Sequence, residues 1–270
     1  MDRFWSYILM ISISQEMILN RKIRQMKNLY AGLLIFCGGF MVSIKAYSAN
    51  QWSDFPKDSL KSEQLIIVLS DDWNSIRAKL YCVEKIKGKW VTQFSFPVVV
   101  GNKGMSIDKT EGDLKAPAGI FSLGPAFGYA NKKDAQWIRM RYLQTTDTLI
   151  CVDDGGSRFY NQLVDTNSLS VDWHSREIMH RKDIYYKWGI FVQYNAQPAI
   201  KGKGSCIFVH IWGNENEGTE GCTAMEEKNI LKLLHWIQSD KNPLLVQYPT
   251  ATYKKIAADY QLPDLGSTTF

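Results

Sequence analysis

The sequence has no Cys-x-x-Cys pair, and its four histidines are scattered, so nothing in it has metal-ligand spacing. It holds no internal repeat and no low-complexity tract, and one main domain is the economical reading. Its longest apolar run, Leu29 to Ile44, is about 16 residues, short of the ~20 that a membrane span needs. Net charge is almost absent from the main body. Of 32 basic and 27 acidic residues, six and two fall in residues 1–49, which leaves 26 and 25 elsewhere. A nucleic-acid partner therefore has no compositional support. What the chain does have is a 45% hydrophobic and 13% aromatic content, ample for a packed core.

The basic excess belongs to an N-terminal export signal. Arg21 to Lys27 is a positive segment, Leu29 to Ile44 is the apolar run, and Lys45 to Asn50 supplies small residues for cleavage. Ala46 and Ser48 suit the −3 and −1 positions; cleavage after Ala49 is nearly equivalent, and an uncleaved anchor is the alternative. Met26-Lys27 also reads as a start, which would make residues 1–25 an extension. The expectation is an exported, periplasmic or cell-envelope protein that meets the membrane transiently, through this segment only. Residues 1–49 are then extension and signal, 50–62 a polar linker, 63–249 the main domain and 250–270 a tail. The exported part retains Cys82, Cys151, Cys206 and Cys222. If Cys222 is free, at most one disulfide forms among the others and one thiol is left over.

The main domain reads as strands. Gln64–Leu69 is a short apolar run, Ala78–Glu84 alternates, and Lys85–Lys89 turns into Trp90–Val100. Strands resume at Ala116–Phe121, Gly189–Tyr194, Ser205–Ile211 and Leu244–Tyr248, and the stretch from 125 to 187 is loop-rich. One helix is clear: Ile230, Leu233, Leu234 and Ile237 repeat with helical spacing within Glu226–Gln238. A short helix is expected after Thr250. Without a βαβ rhythm, these elements predict a mainly β, antiparallel domain.

The chemistry concentrates between Cys206 and Met225. His210 lies near the end of an apolar strand, and a Gly-rich polar loop returns the chain to Cys222, just before the amphipathic helix. Helix-start N–H groups favour a thiolate, and a nearby imidazole accepts the thiol proton. Gly221 lets the backbone turn N–H groups toward a developing oxyanion. Those are the parts of an acyl-transfer site, with Cys222 as nucleophile and His210 as base.

The stretch Ser205 to Met225 resembles the signature of the YkuD-type L,D-transpeptidases, in which a strand His is followed by a loop ending in Gly-Cys. It is closest to the branch that reads like CIFLHIW…GCTAM. The likeness extends over roughly 63–249, through Gly112–Phe121, Gly124–Tyr129, Cys151–Asp154 with Tyr160-Asn161, and Val171–Trp173. It implies a β-sandwich-like catalytic domain with few helices, one following the catalytic Cys. It further implies two-step acyl transfer on peptidoglycan stem peptides, needing no metal or organic cofactor. The backbone N–H groups of Gly221 and Cys222, joined by Thr223, would hold the oxyanion. The base would be oriented by a backbone carbonyl, supplied here by Trp212 or Gly213. Two departures stand out: Thr219-Glu220 replaces the Ser-His before Gly-Cys, and the Gly101–Gly104 loop is short. Competing readings with the same Cys/His pair are an L,D-carboxypeptidase or amidase. A wall-binding module, with Cys222 disulfide-bonded to Cys206, is the non-enzyme alternative. Trp173, Tyr185, Tyr186 and Trp188 are candidates for a peptide groove or for core. His174, His180 and His235 read as surface residues, and Asp153-Asp154 as a turn.

Overall fold

The computed structural model describes residues 61–265; the expected signal segment, nearly all of the expected linker and residues 266–270 of the expected tail lie outside them. The first apolar run forms β1 (Gln64–Ser70), buried along its whole length. A run without alternation is what a strand covered on both faces requires. Strand β2 (Arg77–Ile86) pairs antiparallel with β1 and turns into β3 (Lys89–Val99). The turn residues Lys87 and Gly88 have φ of +50° and +80°, the hairpin conformation that matches strand twist.

The short strands β4 (Met105–Ser106) and β5 (Ala116–Pro117) precede the long β6 (Gly119–Gly128). The loop-rich stretch carries only β7 (Tyr142–Gln144), β8 (Leu149–Cys151), β9 (Leu163–Asp165) and β10 (Glu177–Ile178). After it come β11 (Trp188–Val192), β12 (Phe208–Ile211), β13 (Thr223–Met225) and helix α1 (Glu227–Trp236). The described chain ends with β14 (Leu244–Pro249) and α2 (Thr250–Ala257).

The main sheet runs β11-β12-β13-β3-β2-β1-β14-β6-β7 and closes on itself, because β6 pairs with β14 over its first half and with β11 over its second. The domain is mainly β with two short α-helices among the described residues, as expected. Its antiparallel character is only partial. The pairs β1–β14, β12–β13 and β6–β7 are parallel. Hydrophobic pattern sets which residues a strand buries and leaves open the direction of its neighbour, so the periodicity carried no sign of this.

Helix α1 buries Ile230, Leu233 and Leu234, with Ile237 just beyond its end, against the main core. Gln64, fully buried on β1, fastens that end. Its Nε2 donates to the Trp236 carbonyl at 3.1 Å, and its Oε1 accepts from the Gln238 N–H at 2.8 Å. Helix termini leave such groups unpaired, and a buried terminus needs partners of this kind.

A second cluster covers the opposite face of β11 and β12: Phe127, Cys151, Met179, Tyr186, Phe191, Cys206 and Phe208. Cys151 is disulfide-bonded to Cys206, and Cys82 and Cys222 are free. The one bridge and one leftover thiol follow the sequence arithmetic, whereas the Cys222–Cys206 pairing of the binding-module reading is not formed. Beside the bridge, Asn161 (φ +62°) donates to the carbonyls of Tyr194 and Asn195 and accepts from the Cys206 N–H, at 2.7 to 2.9 Å.

The bridge spans 55 residues of sequence. Removing it with Cys151→Ala and Cys206→Ala is expected to lower unfolding free energy by about 4 kcal/mol, from lost loop closure in the unfolded chain. Urea denaturation measures this, and an unchanged midpoint would count against the bridge as the main fastening of this layer.

Candidate active site

His210 and Cys222 are brought together by adjacent parallel strands. On β12, Val209 and Ile211 face the main core while Phe208 and His210 face the second cluster. Strand β13 runs alongside with Val209 opposite Thr223 and His210 opposite Ala224, so Cys222 enters the pair level with Phe208. The Phe208 N–H donates to the Cys222 Sγ at 3.3 Å, and the Sγ donates to the Cys206 carbonyl at 3.7 Å. No thiol–imidazole hydrogen bond forms among the described residues.

His210 is 8% exposed. Its Nδ1 lies 2.8 Å from the Ile211 carbonyl. A carbonyl only accepts, so Nδ1 carries the proton and Nε2 keeps its lone pair. The orienting carbonyl thus belongs to Ile211 and not to Trp212 or Gly213, because Trp212 turns its N–H into the sheet toward Met225. Tyr186 stands edge-on to the imidazole at 5.3 Å and Tyr185 tilts over it at 6.5 Å. Arg181 lies over both tyrosine rings and forms a two-pronged pair with Asp183.

The loop before Cys222 is held by one hydroxyl. Thr219 Oγ1 donates to the Cys222 carbonyl at 2.6 Å and accepts from the Gly221 N–H at 3.1 Å. Thr219 is also tied by its backbone to Val100 and Asn102 at the end of β3. Gly221 has φ +147°, and a Cβ there would lie 3.1 Å from the Lys115 carbonyl oxygen, so both conformation and space call for glycine.

Two sequence expectations change here. Cys222 does not start a helix: β13 intervenes and α1 begins at Glu227, so no helix-start N–H reaches the thiol. The Gly221 N–H is occupied by Thr219 and is not a waiting oxyanion donor. The Thr223 side chain, as distinct from its backbone N–H, turns inward: the residue is 2% exposed and its hydroxyl donates to Gln247 Oε1 at 2.6 Å, because successive strand residues face opposite ways. It supports β13 from the core side.

The remaining candidates divide cleanly. Tyr185 and Tyr186 flank the site. Trp173 packs in a separate cluster with Ile150, Val152 and Val164, and Trp188 packs on Trp137 and Tyr142. His174, His180 and His235 are exposed. Asp154 closes a turn by accepting from the Gly156 N–H. Two contributors were missed in the sequence: Glu177, whose Oε1 accepts from the Tyr186 hydroxyl at 3.0 Å, and the buried Lys109. Neither stands near Cys222 in sequence, so only the fold reveals them.

Burial dominates the electrostatics. Cys222 is half-buried as a residue, and desolvation pushes its thiol up to about 12, aided by Glu177 and Glu220 and opposed by the Phe208 N–H and Lys109. Burial also lowers His210 to about 4, with Arg181 acting the same way and the Ile211 carbonyl and Asp183 opposing. Both shifts favour the uncharged form of the group. The resting pair is neutral thiol and neutral imidazole.

The L,D-transpeptidase catalytic domain of the YkuD family matches residues 75–247. No curated protein matches the chain. Two solved structures align with it. The helical cell shape determining protein Pgp2 from Campylobacter jejuni has 16% identity and a TM-score of 0.37, over 70% of this chain and 48% of that one. Bd1075 of Bdellovibrio bacteriovorus has 15% identity and a TM-score of 0.38, over 74% and 55%. The chain spans about half the length of these two.

A histidine that stays neutral when folded, yet takes a proton near pH 6.5 when unfolded, opposes folding in acid. Stability should fall as pH drops from about 6.5 toward 4, by up to about 3 kcal/mol from this group. His210→Gln should flatten that part of the profile. Denaturation at pH 7 and pH 4.5 tests it, and equal losses in both proteins would sink the assignment.

Proposed function

The chain belongs to the L,D-transpeptidase catalytic-domain family, and from that premise we infer that it forms cross-links between peptidoglycan stem peptides through a Cys222 acyl-enzyme in the cell envelope. The observation that carries the reading is the parallel β12–β13 pair, which sets a free thiol beside an imidazole whose Nε2 is unprotonated. The enclosing tyrosines and the orienting Ile211 carbonyl support it.

In this reading a donor tetrapeptide enters with the carbonyl of its third, diamino-acid residue against Cys222. His210 Nε2 takes the thiol proton as sulfur attacks, and returns it to the departing amine of the terminal D-Ala. The Cys222 N–H holds the oxyanion, since its Gly221 neighbour is engaged by Thr219. An amine from a second stem then attacks the thioester, His210 receives its proton, and the thiol is restored. Water in place of that amine yields a trimmed stem. The free Cys222 speaks against the disulfide-bonded binding module.

Purified protein incubated with disaccharide-tetrapeptides should give dimers by mass. Trimmed monomers alone would replace cross-linking with carboxypeptidase activity. Unconverted substrate, together with no carbapenem adduct on Cys222, would defeat both enzyme readings. Cys222→Ala should reduce turnover about a thousandfold or more while melting like the wild type.

A further inference from the structure

Lys109 is an unusual side chain to find where it is. It lies between β4 and β5 and is 3% exposed, although lysines are rarely buried unless paired. Its Nζ donates to Asp113 Oδ1 at 2.6 Å and to the Thr110 carbonyl at 3.4 Å. Its stem runs against Gly204, where a Cβ would lie 2.7 Å from Cε. The ammonium ends beneath the loop that carries the thiol: a Cβ on Gly221 would be 3.2 Å from Nζ.

Stability alone does not explain this arrangement. Burying an ion pair costs desolvation that the mutual attraction often fails to recover, and apolar residues of similar volume serve a core as well. The Asp113 carboxylate, moreover, is shared. Its Oδ1 also accepts from the Lys115 N–H and its Oδ2 from the Thr110 N–H, each at 2.9 Å. Burial raises the Asp113 pKa, but the lysine and the two N–H groups outweigh it and keep the group ionised. Part of the negative charge is thus answered by backbone, and positive field remains at the Gly221 end.

That end is where negative charge must appear. Deprotonation leaves a charge on Cys222 Sγ that no helix terminus offsets, and attack on a carbonyl moves it to an oxyanion beside the same backbone. The charged and titratable groups around the thiol and its neighbouring imidazole are Glu177 from β10, Glu220 from the loop, Arg181, Asp183, Tyr185 and Tyr186 from the covering layer, His210 from β12, and Lys109. Of the two cations, Arg181 is paired with Asp183 and bears on His210, whereas Lys109 bears on the thiol.

We propose that Lys109 is a positioning residue of the acyl-transfer site, whose buried ammonium stabilises the anionic states of Cys222 through the Gly221–Cys222 backbone. This rests on Cys222 being the nucleophile, and its test is independent of wall-peptide turnover. The probes are iodoacetamide, which is neutral, and iodoacetate, which is anionic. With either, the Sγ–C bond forms, iodide leaves with its electron pair, and the thiol proton passes through His210 to solvent. Peptide mapping of the unreduced protein assigns the modification to Cys222.

Lys109→Met should remove about one unit of thiolate stabilisation. Tenfold less thiolate, partly offset by its greater nucleophilicity, means iodoacetamide alkylation about threefold slower at pH 8. The iodoacetate-to-iodoacetamide ratio should fall as well, because local positive potential is lost; a merely structural role would leave that ratio unmoved. Lys109→Arg should keep both readouts within about twofold of wild type, as charge is retained. Asp113→Asn should raise the ratio, and it decides the matter if Lys109→Met does not fold. An unchanged rate and ratio in Lys109→Met, or an unchanged or lowered ratio in Asp113→Asn, overturns the proposal. A protein that fails the tetrapeptide assay but shows these shifts loses its proposed function and keeps this electrostatic device.

Discussion

Two parallel neighbours cannot be joined by a tight turn; the chain must travel back the length of the pair before the second strand begins. In this protein β12 ends at Ile211 and β13 begins at Thr223, so the return takes the intervening eleven residues. That return determines the site. It delivers Cys222 to the level of Phe208, two residues before His210 on the same face, and fixes register by the Val209–Thr223 and His210–Ala224 pairings. The loop itself is not left loose. Thr219 closes its last turn from within, and backbone bonds from Thr219 to Val100 and Asn102 lean it on the end of β3. Shifting the register by one residue would turn the thiol into the main core and Thr223 outward.

The second constraint is cover. A thiol and an imidazole on an exposed sheet face would titrate near their ordinary values and be solvated throughout. The stretch from 129 to 187, poor in regular structure but rich in aromatics, packs Tyr186 and Met179 over Phe208 and anchors itself through Cys151–Cys206. Desolvation then keeps both groups neutral, the thiol well above and the imidazole well below the usual range. A site of this kind holds little reactive thiolate at rest. In the reaction proposed above, charges are met as they form by the Cys222 N–H, by His210 acquiring the proton, and by the buried Lys109. An environment that penalises isolated charge also strengthens each compensating interaction.

Much of this is legible in the sequence. The longer strands β1, β2, β3, β6, β11, β12 and β14, the turn at Lys87-Gly88, helix α1 and the short helix after Thr250 follow from period and turn chemistry, because each depends on neighbours in sequence. The joint placement of His210 on a strand and Cys222 after a glycine was legible through its resemblance to a known signature. Partner-dependent features were not. Nothing local to Leu244–Tyr248 says that it lies between β1 and β6, parallel to the former. Nothing in the spacing selects Cys151 over Cys82 as the partner of Cys206. The helix-start argument for Cys222 failed for a related reason. Three residues too few in number to show a period, Thr223–Met225, are a strand only because β12 and β3 are beside them.

Thr223 shows what such a strand does to inference from adjacency. Next to a nucleophile in sequence, it looks like part of the machinery, yet alternation sends its hydroxyl to Gln247 in the core. Gln247 in turn donates to the Pro117 carbonyl on β5. Strand β13 is therefore held from below by a polar contact that reaches β14 and β5, while its preceding residue meets the cleft from above. The segment carrying Lys109 ends on that same β5, and the segment carrying Cys222 begins β13, so the hydrogen bonds that fix the strand also fix the distance between cation and thiol. A small rigid strand accomplishes this where a helix start would not. In the proposed mechanism, charge compensation at Cys222 then falls to a side chain, Lys109, that the fold delivers from more than a hundred residues away in sequence.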